Sequence, residues 1–193
     1  MGRTMTRIVA GTLGGRRLVV PRGDTTRPTS ERVREALFSA LEARGAVAGA
    51  RVVDLYAGSG ALGLEALSRG AASVILVDSS RQAVGAARRN VRDLGLARVS
   101  VVLSSVGRFL SSPPKLPAGL VFADPPYPTG EDDVAAMLAA LAARWLEPGA
   151  IVVVERSSRA PEPRWPATLT RTDVRRYGET TLWQAQYRPE RAT

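Results

Sequence analysis

Residues 52–64 read Val-Val-Asp-Leu-Tyr-Ala-Gly-Ser-Gly-Ala-Leu-Gly-Leu. Gly58, Gly60 and Gly63 fit the pattern G-x-G-x-x-G, between an apolar run typical of a strand and a segment typical of a helix. Asp78 lies further along, at the end of the next apolar run. In such loops the glycines let the backbone approach a ligand and the acidic residue holds ribose hydroxyls. The stretch therefore predicts an α/β fold with a ligand site after a central strand.

The segments on either side continue an alternation of strands and helices. Runs such as Val74–Val77 and Ile151–Val154 do not alternate with polar residues, which is typical of strands covered by helices on both faces. Right-handed crossovers then give a doubly wound, mostly parallel sheet. Strands are predicted at 51–55, 73–77, 98–103, 120–123 and 150–154, and helices at 60–69, 80–94, 106–110 and 131–145, with a further helix from about residue 30 to 44.

The two ends of the chain lack this alternation of strands and helices, and each predicts a β-hairpin. Arg7–Ala10 and Arg16–Val20 are short apolar segments joined by Gly-Thr-Leu-Gly-Gly, which predicts a β-hairpin. The stretches 168–176 and 181–187 leave no room for a helix between them and predict an antiparallel hairpin at the end of the sheet. We therefore divide the chain into a hairpin extension, 1–28, and one ligand-binding domain, 29–193.

The composition excludes several kinds of chemistry. The 193 residues include neither cysteine nor histidine, so disulfides, Cys/His zinc sites, thiol nucleophiles and histidine bases are ruled out. We expect no metal. No apolar run approaches the roughly 20 residues of a membrane span, and the first residues lack a secretory pattern. We expect a cytoplasmic monomer with no membrane partner.

The net charge of +9 is concentrated at the two ends of the chain. Residues 1–35 contain eight Arg against three acidic residues, and residues 156–193 contain eight Arg against four. Residues 36–155 are balanced, with eleven basic and eleven acidic residues. A neutral middle with basic flanks suits a polyanionic partner, most simply nucleic acid. Genome composition accounts for the preference for Arg over Lys, but it accounts less well for the clustering.

Asp54 narrows the choice of ligand. It stands four residues before Gly58, where a carboxylate would be poorly placed beside a pyrophosphate and well placed to hold an ammonium group. S-adenosylmethionine has an amino-acid end, a ribose end and no phosphate, so Asp54 and Asp78 would hold its two ends. On the glycines alone, a dinucleotide is the alternative ligand. Asp54 can also shape the loop by accepting backbone N–H bonds.

Residues 122–127, Phe-Ala-Asp-Pro-Pro-Tyr, follow another predicted strand. Asp124 would lie at the carboxyl edge of the sheet, in the ligand crevice. Pro125 and Pro126 fix the backbone and leave carbonyl groups as acceptors, and Tyr127 offers a flat face to a base. Acceptors on both N–H groups of an exocyclic amine favour the amine as it becomes tetrahedral and cationic. The stretch therefore predicts methylation of a base amine; carbon methylation of pyrimidines, which needs a cysteine, is excluded.

Taken together, these residues resemble the class I S-adenosylmethionine-dependent amino-methyltransferases. More narrowly, the chain resembles the bacterial small-subunit ribosomal RNA guanine-N2 methyltransferases, over almost its whole length. The narrower resemblance rests on Arg7–Gly11, Gly15–Leu18, Arg27–Thr29, Arg32–Phe38, Asp54–Gly60 and Ala123–Tyr127. It implies a Rossmann-like fold with a mostly parallel seven-stranded sheet, a C-terminal antiparallel hairpin and a small N-terminal β-hairpin.

The resemblance also implies an activity and its residues. The activity is methylation of the 2-amino group of one guanine in 16S ribosomal RNA, within an assembling subunit, with S-adenosylhomocysteine as product. Candidate cofactor-binding residues are Asp54, Tyr56, Ala57, Gly58, Gly60, Asp78 and Ser79, with Ser105 and Val106 beside the adenine. Candidate catalytic residues are Asp124, Pro125, Pro126 and Tyr127, and candidate RNA contacts are Arg7, Arg16, Arg17, Arg27 and Arg32, with Arg175, Arg176 and Tyr177 further candidates in the tail.

Three other functions remain open at this point. An adenine-N6 methyltransferase would use the same Asp-Pro-Pro-Tyr stretch, although DNA enzymes of that kind usually add a recognition segment for which this chain has no room. A nicotinamide dehydrogenase fits the glycines but not Asp54 or Asp124. A non-catalytic ribosome-assembly factor would not need intact glycines and acids. Glu155 directly follows the predicted strand 150–154, and its role is left open.

Overall fold

The computed structural model describes residues 5–21, 31–126 and 129–189. Nine strands are described: β1 (Met5–Arg7), β2 (Arg17–Val19), β3 (Arg51–Leu55), β4 (Ser73–Asp78), β5 (Val99–Leu103), β6 (Ala118–Ala123), β7 (Leu146–Ser157), β8 (Leu169–Tyr177) and β9 (Thr180–Tyr187). Five helices are described: α1 (Glu31–Ala43), α2 (Ala61–Ser68), α3 (Arg81–Asp93), α4 (Val106–Leu110) and α5 (Glu131–Arg144). Residue 30, near which the sequence predicts that the first helix begins, falls outside the described residues.

The large sheet has seven strands in the order β5-β4-β3-β6-β7-β9-β8. The first five are parallel, β9 runs antiparallel to β7, and β8 runs antiparallel to β9. The prediction of a mostly parallel seven-stranded sheet with a C-terminal hairpin is therefore confirmed. The strand order reverses between β3 and β6, and in such sheets ligands bind beside this point, at the carboxyl ends of the strands.

Apolar side chains fill both faces of the sheet. One core layer joins the sheet to α4 and α5 around Val121, Leu138 and Trp145. The other joins it to α1, α2 and the N-terminal hairpin, and includes Phe38 and Phe122, whose ring centroids are 5.5 Å apart. Burial on both faces explains why the predicted strands read as unbroken apolar runs.

The N-terminal hairpin is part of the second layer, because Ile8 and Leu18 are fully buried there. Its first strand ends at Arg7, earlier than the sequence predicts. The reason lies in α2, where the buried carboxylate of Glu65 accepts hydrogen bonds from Val9 N (2.7 Å) and Ala10 N (3.0 Å) in place of a strand partner. Glu65 also pairs with Arg34 and Arg69, a buried network that sequence reasoning missed.

Strand β7 is longer than predicted at both ends. Leu146 pairs with Ala118 across a register irregularity, and Ser157 pairs with Thr180 of β9. The prediction that the strand stops at Val154 is therefore wrong, because the antiparallel partner continues the ladder beyond that point. Glu155 consequently lies within the strand, opposite Leu182, and not at its end.

Candidate active site

Three acidic side chains come from neighbouring strands at one edge of the sheet. Asp54 lies in β3, Asp78 ends β4, and Asp124 directly follows β6. The register aligns Asp54 with Leu76 of β4 on one side and with Phe122 of β6 on the other. Because the carboxyl ends of parallel strands share an edge, the fold gathers these acids around the point where the strand order reverses.

The loop after β3 has an unusual backbone. Tyr56 has φ +61°, and it is the only non-glycine residue with positive φ in the described ranges. Such a conformation is costly for a residue with a side chain and is found mainly at functional sites. The turn directs Ala57 N to Val77 O (3.0 Å), which fixes the loop against β4. Burial raises the pKa of the Tyr56 hydroxyl; the charge of Asp133 adds to this shift and Arg156 opposes it.

Asp54 is a buried carboxyl group, with 2% of its surface exposed. Its Oδ2 accepts a hydrogen bond from Gly63 N at 2.9 Å, so it does shape the loop. Burial raises its pKa to about 7; the Gly63 hydrogen bond acts against this shift and the charge of Asp78 adds to it. A buried acid that is reluctant to ionise gains most from a cation placed beside it.

Asp78 holds the other side of the loop. Its Oδ2 accepts from Gly58 N (2.9 Å) and its Oδ1 from Ser80 N (2.8 Å). Each carboxylate oxygen has a second lone pair, so both can also accept from ligand hydroxyls. The neighbouring Ser79 is exposed at the same edge.

The turn after β5 supplies the next part of this edge. Ser105 is exposed and caps α4, its hydroxyl accepting from Arg108 N at 3.4 Å. Val106 is buried in the core, so its side chain is not available to a ligand. The first backbone N–H groups of α4 have no partner within the helix, and they lie just after the carboxyl end of β5.

Asp124 is half-buried, and its backbone N donates to Leu55 O at 3.5 Å, which joins the two loops that follow β3 and β6. Pro125 is buried and Pro126 is exposed. Tyr127 lies outside the described residues.

The segment from residue 129 onward is anchored by Arg156. The buried guanidinium group of Arg156 donates to Thr129 O at 3.4 Å and pairs with Glu131. Sequence reasoning missed this anchor, because Arg156 is distant from the loop in the chain.

The hairpin carries several of the predicted RNA contacts. Arg7 and Arg17 face each other across β1 and β2, and both are exposed, as is Arg16 in the turn before β2. Two cations in directly opposed positions repel each other, so an anion bound between them would relieve this repulsion. Arg7 also pairs with Glu31 (2.8 Å), a surface contact. Arg32 is exposed at the start of α1, and Arg27 lies outside the described residues.

The described ranges show neither a membrane-spanning helix nor a metal-binding cluster. No helix within 5–21, 31–126 and 129–189 is long and apolar enough to cross a membrane. Within the same ranges, no cluster of three or more acidic side chains is arranged to hold a metal ion.

The sheet order and the loop after β3 define the Rossmann-like fold of the class I methyltransferases. The solved structure of the yhhF protein of Escherichia coli superposes with a TM-score of 0.86 at 34% identity, covering 97% of this chain and 100% of that one. A model of the family described as "Conserved hypothetical protein 95" matches residues 6–186, and the chain belongs to that family.

Two curated relatives have names that state a function. "Ribosomal RNA small subunit methyltransferase D" of E. coli is 40% identical over 129 residues, which is 67% of this chain. The protein of that name from Haemophilus influenzae is 34% identical over 158 residues, 80% of each chain. The match spans 64% of the length of the E. coli relative, slightly less than two thirds.

Proposed function

We propose that the protein transfers a methyl group from S-adenosylmethionine to the 2-amino group of a guanine in small-subunit ribosomal RNA, during assembly of the subunit. The observation that carries this proposal is the placement of Asp54 near the end of β3 and of Asp124 directly after the adjacent β6, on either side of the point where the strand order reverses. One acid suits the ammonium group of the cofactor and the other suits the reacting amine. The names of the two relatives support the choice of RNA and subunit.

The residues after β3 and β4 fit this cofactor. Asp54 would pair with the ammonium group, and Asp78 would accept from the ribose hydroxyls. A Cβ built on Gly58 meets no atom within 4 Å, so the backbone there is open to a ligand. The same side of the proposed cofactor site would also be lined by Tyr56, Ala57, Gly60 and Ser79. The adenine would be bordered by Ser105 and the backbone amide of Val106. When bound, the cofactor supplies an electrophilic methyl group on a sulfonium with a good leaving group.

The role of Asp124 follows from the chemistry of the amine. A base amine is a poor nucleophile because its lone pair is conjugated with the ring. The Asp124 carboxylate and a carbonyl of the Pro125-Pro126 segment would each accept one N–H, which favours the tetrahedral, cationic nitrogen over the planar one. Tyr127 would stack on the base. The surplus proton leaves after the attack, so neither histidine nor cysteine is required.

Two glycine substitutions separate binding from packing. We expect Gly58→Ala to weaken cofactor binding by at least about tenfold, because the new methyl group enters the space the ligand needs, at a stability cost of about 1 kcal/mol for φ +55°. Gly63→Ala places Cβ 2.5 Å from Leu76 Cδ2 and 2.7 Å from Val74 Cγ1, and we expect it to cost about 2 kcal/mol of stability. Denaturant unfolding and calorimetry with S-adenosylhomocysteine measure both quantities. Wild-type affinity in Gly58→Ala would contradict the placement of the ligand.

Charge reversal of Arg16 and Arg17 tests the hairpin as an RNA-binding element. We expect the double substitution to Glu to weaken RNA binding and to reduce the magnitude of the slope of log K against log salt by roughly 1.5, since each of the two lost phosphate contacts contributes about 0.7–0.9. The matched control reverses Arg98, directly before β5, and Arg144, at the end of α5, which are both exposed and give the same change in net charge. Equal slopes for both variants would mean that the hairpin is not an RNA-binding element.

The reaction itself is tested by nucleoside identification. Labelled S-adenosylmethionine is incubated with small subunits lacking their native methylations and, separately, with free ribosomal RNA, and the RNA product is digested. N2-methylguanosine is the expected nucleoside. N6-methyladenosine would keep the cofactor chemistry and overturn the choice of base. Cofactor binding without transfer to either substrate would favour a non-catalytic assembly factor.

A further inference from the structure

Asn90 is a buried polar side chain in α3, 3% exposed, and its side-chain hydrogen bonds within the described residues go to the backbone of other segments. Its Oδ1 accepts from Val19 N (2.8 Å), and its Nδ2 donates to Val19 O (2.9 Å) and to Ser59 O (3.0 Å). Val19 belongs to the hairpin and Ser59 to the glycine loop. One amide group thus binds two segments that are distant in sequence from each other.

The contact to Ser59 fixes a defined peptide plane. The carbonyl of Ser59 is held by Asn90, while the N–H of the same peptide, on Gly60, donates to Ala57 O at 2.7 Å. With both ends of the peptide bonded, the segment between Gly58 and Gly60 cannot rotate without breaking one of these bonds. This segment is the part of the loop that the proposed cofactor would touch.

The contact to Val19 fixes the second strand of the hairpin. Asn90 gives Val19 both a donor and an acceptor, as a neighbouring strand would. At the other end of the hairpin, Glu65 holds Val9 and Ala10, and Ser68 accepts from Leu13 N (2.9 Å) and donates to Ala10 O (2.5 Å). Those contacts come from α2 and do not touch Ser59. Among the described residues, Asn90 is the side chain that bonds both the hairpin and the loop.

We propose that Asn90 is a positioning residue that couples RNA binding at the hairpin to cofactor binding at the glycine loop. The inference rests on the proposed function. An RNA that holds the hairpin in its docked position also holds Val19 against Asn90, and so stabilises the orientation of Ser59 that the cofactor requires. Because such coupling is reciprocal, the cofactor must increase the affinity for RNA by the same factor.

Calorimetry with S-adenosylhomocysteine, in the absence and presence of saturating unmethylated 16S ribosomal RNA, tests the coupling. For the wild type we expect the RNA to tighten binding by at least about fivefold, the lower end of typical coupling. Asn90→Asp keeps an acceptor for Val19 N but cannot donate to Ser59 O when ionised. We expect the affinity of this variant for S-adenosylhomocysteine to be equal with and without RNA. Ser68→Ala is the matched control, since it removes two hairpin bonds and leaves Ser59 untouched; its coupling should persist.

Hydrogen exchange on the wild type gives a second test that does not depend on any variant folding. We expect S-adenosylhomocysteine alone to slow exchange of the Val19 amide, which bonds Asn90, more than that of the Ile8 amide, which bonds Arg16 O within the hairpin. Equal slowing of both amides, or unchanged coupling in Asn90→Asp, would overturn the role of Asn90 while leaving the proposed function intact. Failure of the wild type to bind S-adenosylhomocysteine would overturn both.

Discussion

We expect Asp124→Ala to reduce methyl transfer by roughly 10³-fold while both ligands still bind, since removing one preorganised group from the transition state has effects of this size. The carboxylate follows β6 directly and is tied by its backbone to Leu55 O, so it is held in place before any substrate arrives. Its charge acts on the cationic nitrogen and much less on the neutral amine. The loss should therefore fall on the chemical step and not on RNA affinity.

Single-turnover transfer of labelled methyl measures the rate, and filter binding measures the affinity for RNA. Asp124→Asn keeps an acceptor oxygen without the charge, and its rate should lie between those of the wild type and Asp124→Ala. Asp93→Ala removes a half-exposed acid at the end of α3 and serves as the control with unchanged rate. A transfer rate in Asp124→Ala within tenfold of wild type would remove Asp124 from the catalytic residues.

The second large effect is a pH dependence of cofactor binding set by Asp54. Below its pKa of about 7, Asp54 is neutral and cannot pair with an ammonium group. We expect the affinity for S-adenosylhomocysteine to fall by up to about tenfold per pH unit below 7. Calorimetry from pH 5.5 to 8 tests this rise, and Asp54→Asn should bind weakly at every pH, without the rise toward pH 7.

The stability of the ligand-free protein should respond to the same group in the opposite direction. The folded protein keeps Asp54 protonated up to about pH 7, whereas the unfolded chain releases this proton near pH 4. Between these values the unfolded state binds fewer protons, so stability falls as pH rises, by about 4 kcal/mol from this group. Asp54→Asn should lack this slope. Parallel stability–pH curves for the two proteins would show that Asp54 is not buried in neutral form.

The sequence predicts those parts of the fold that depend on local pattern. The bounds of β3 and of α4 match the predicted 51–55 and 106–110, because an apolar run followed by glycine, or a serine cap, marks them locally. The edge position of the three acids follows from the same reasoning, since Asp54 is the penultimate residue of a buried parallel strand, Asp78 ends one and Asp124 follows one.

The contacts that sequence reasoning missed have no local pattern. Glu65 is a single acid in an otherwise apolar helix, and its partners are backbone amides 55 and 56 positions earlier. Asn90 lies in an arginine-rich helix and bonds a strand 71 positions away. Nothing in the neighbouring residues distinguishes either one from a surface polar residue. The length of β7 could not be predicted from its own residues either, because pairing with β9 determines where the strand ends.

The docked N-terminal hairpin has a consequence for the order of folding during synthesis. Residues 5–21 leave the ribosome before the helices that bond them, because Glu65 must follow before Val9 and Ala10 are bonded, and Asn90 before Val19 is bonded. At roughly 5–20 residues per second, that second delay is several seconds. An isolated two-stranded hairpin is marginally stable in water, so through this interval the segment remains an unstructured basic chain. The bonding of the hairpin is thus completed only once α3 has emerged.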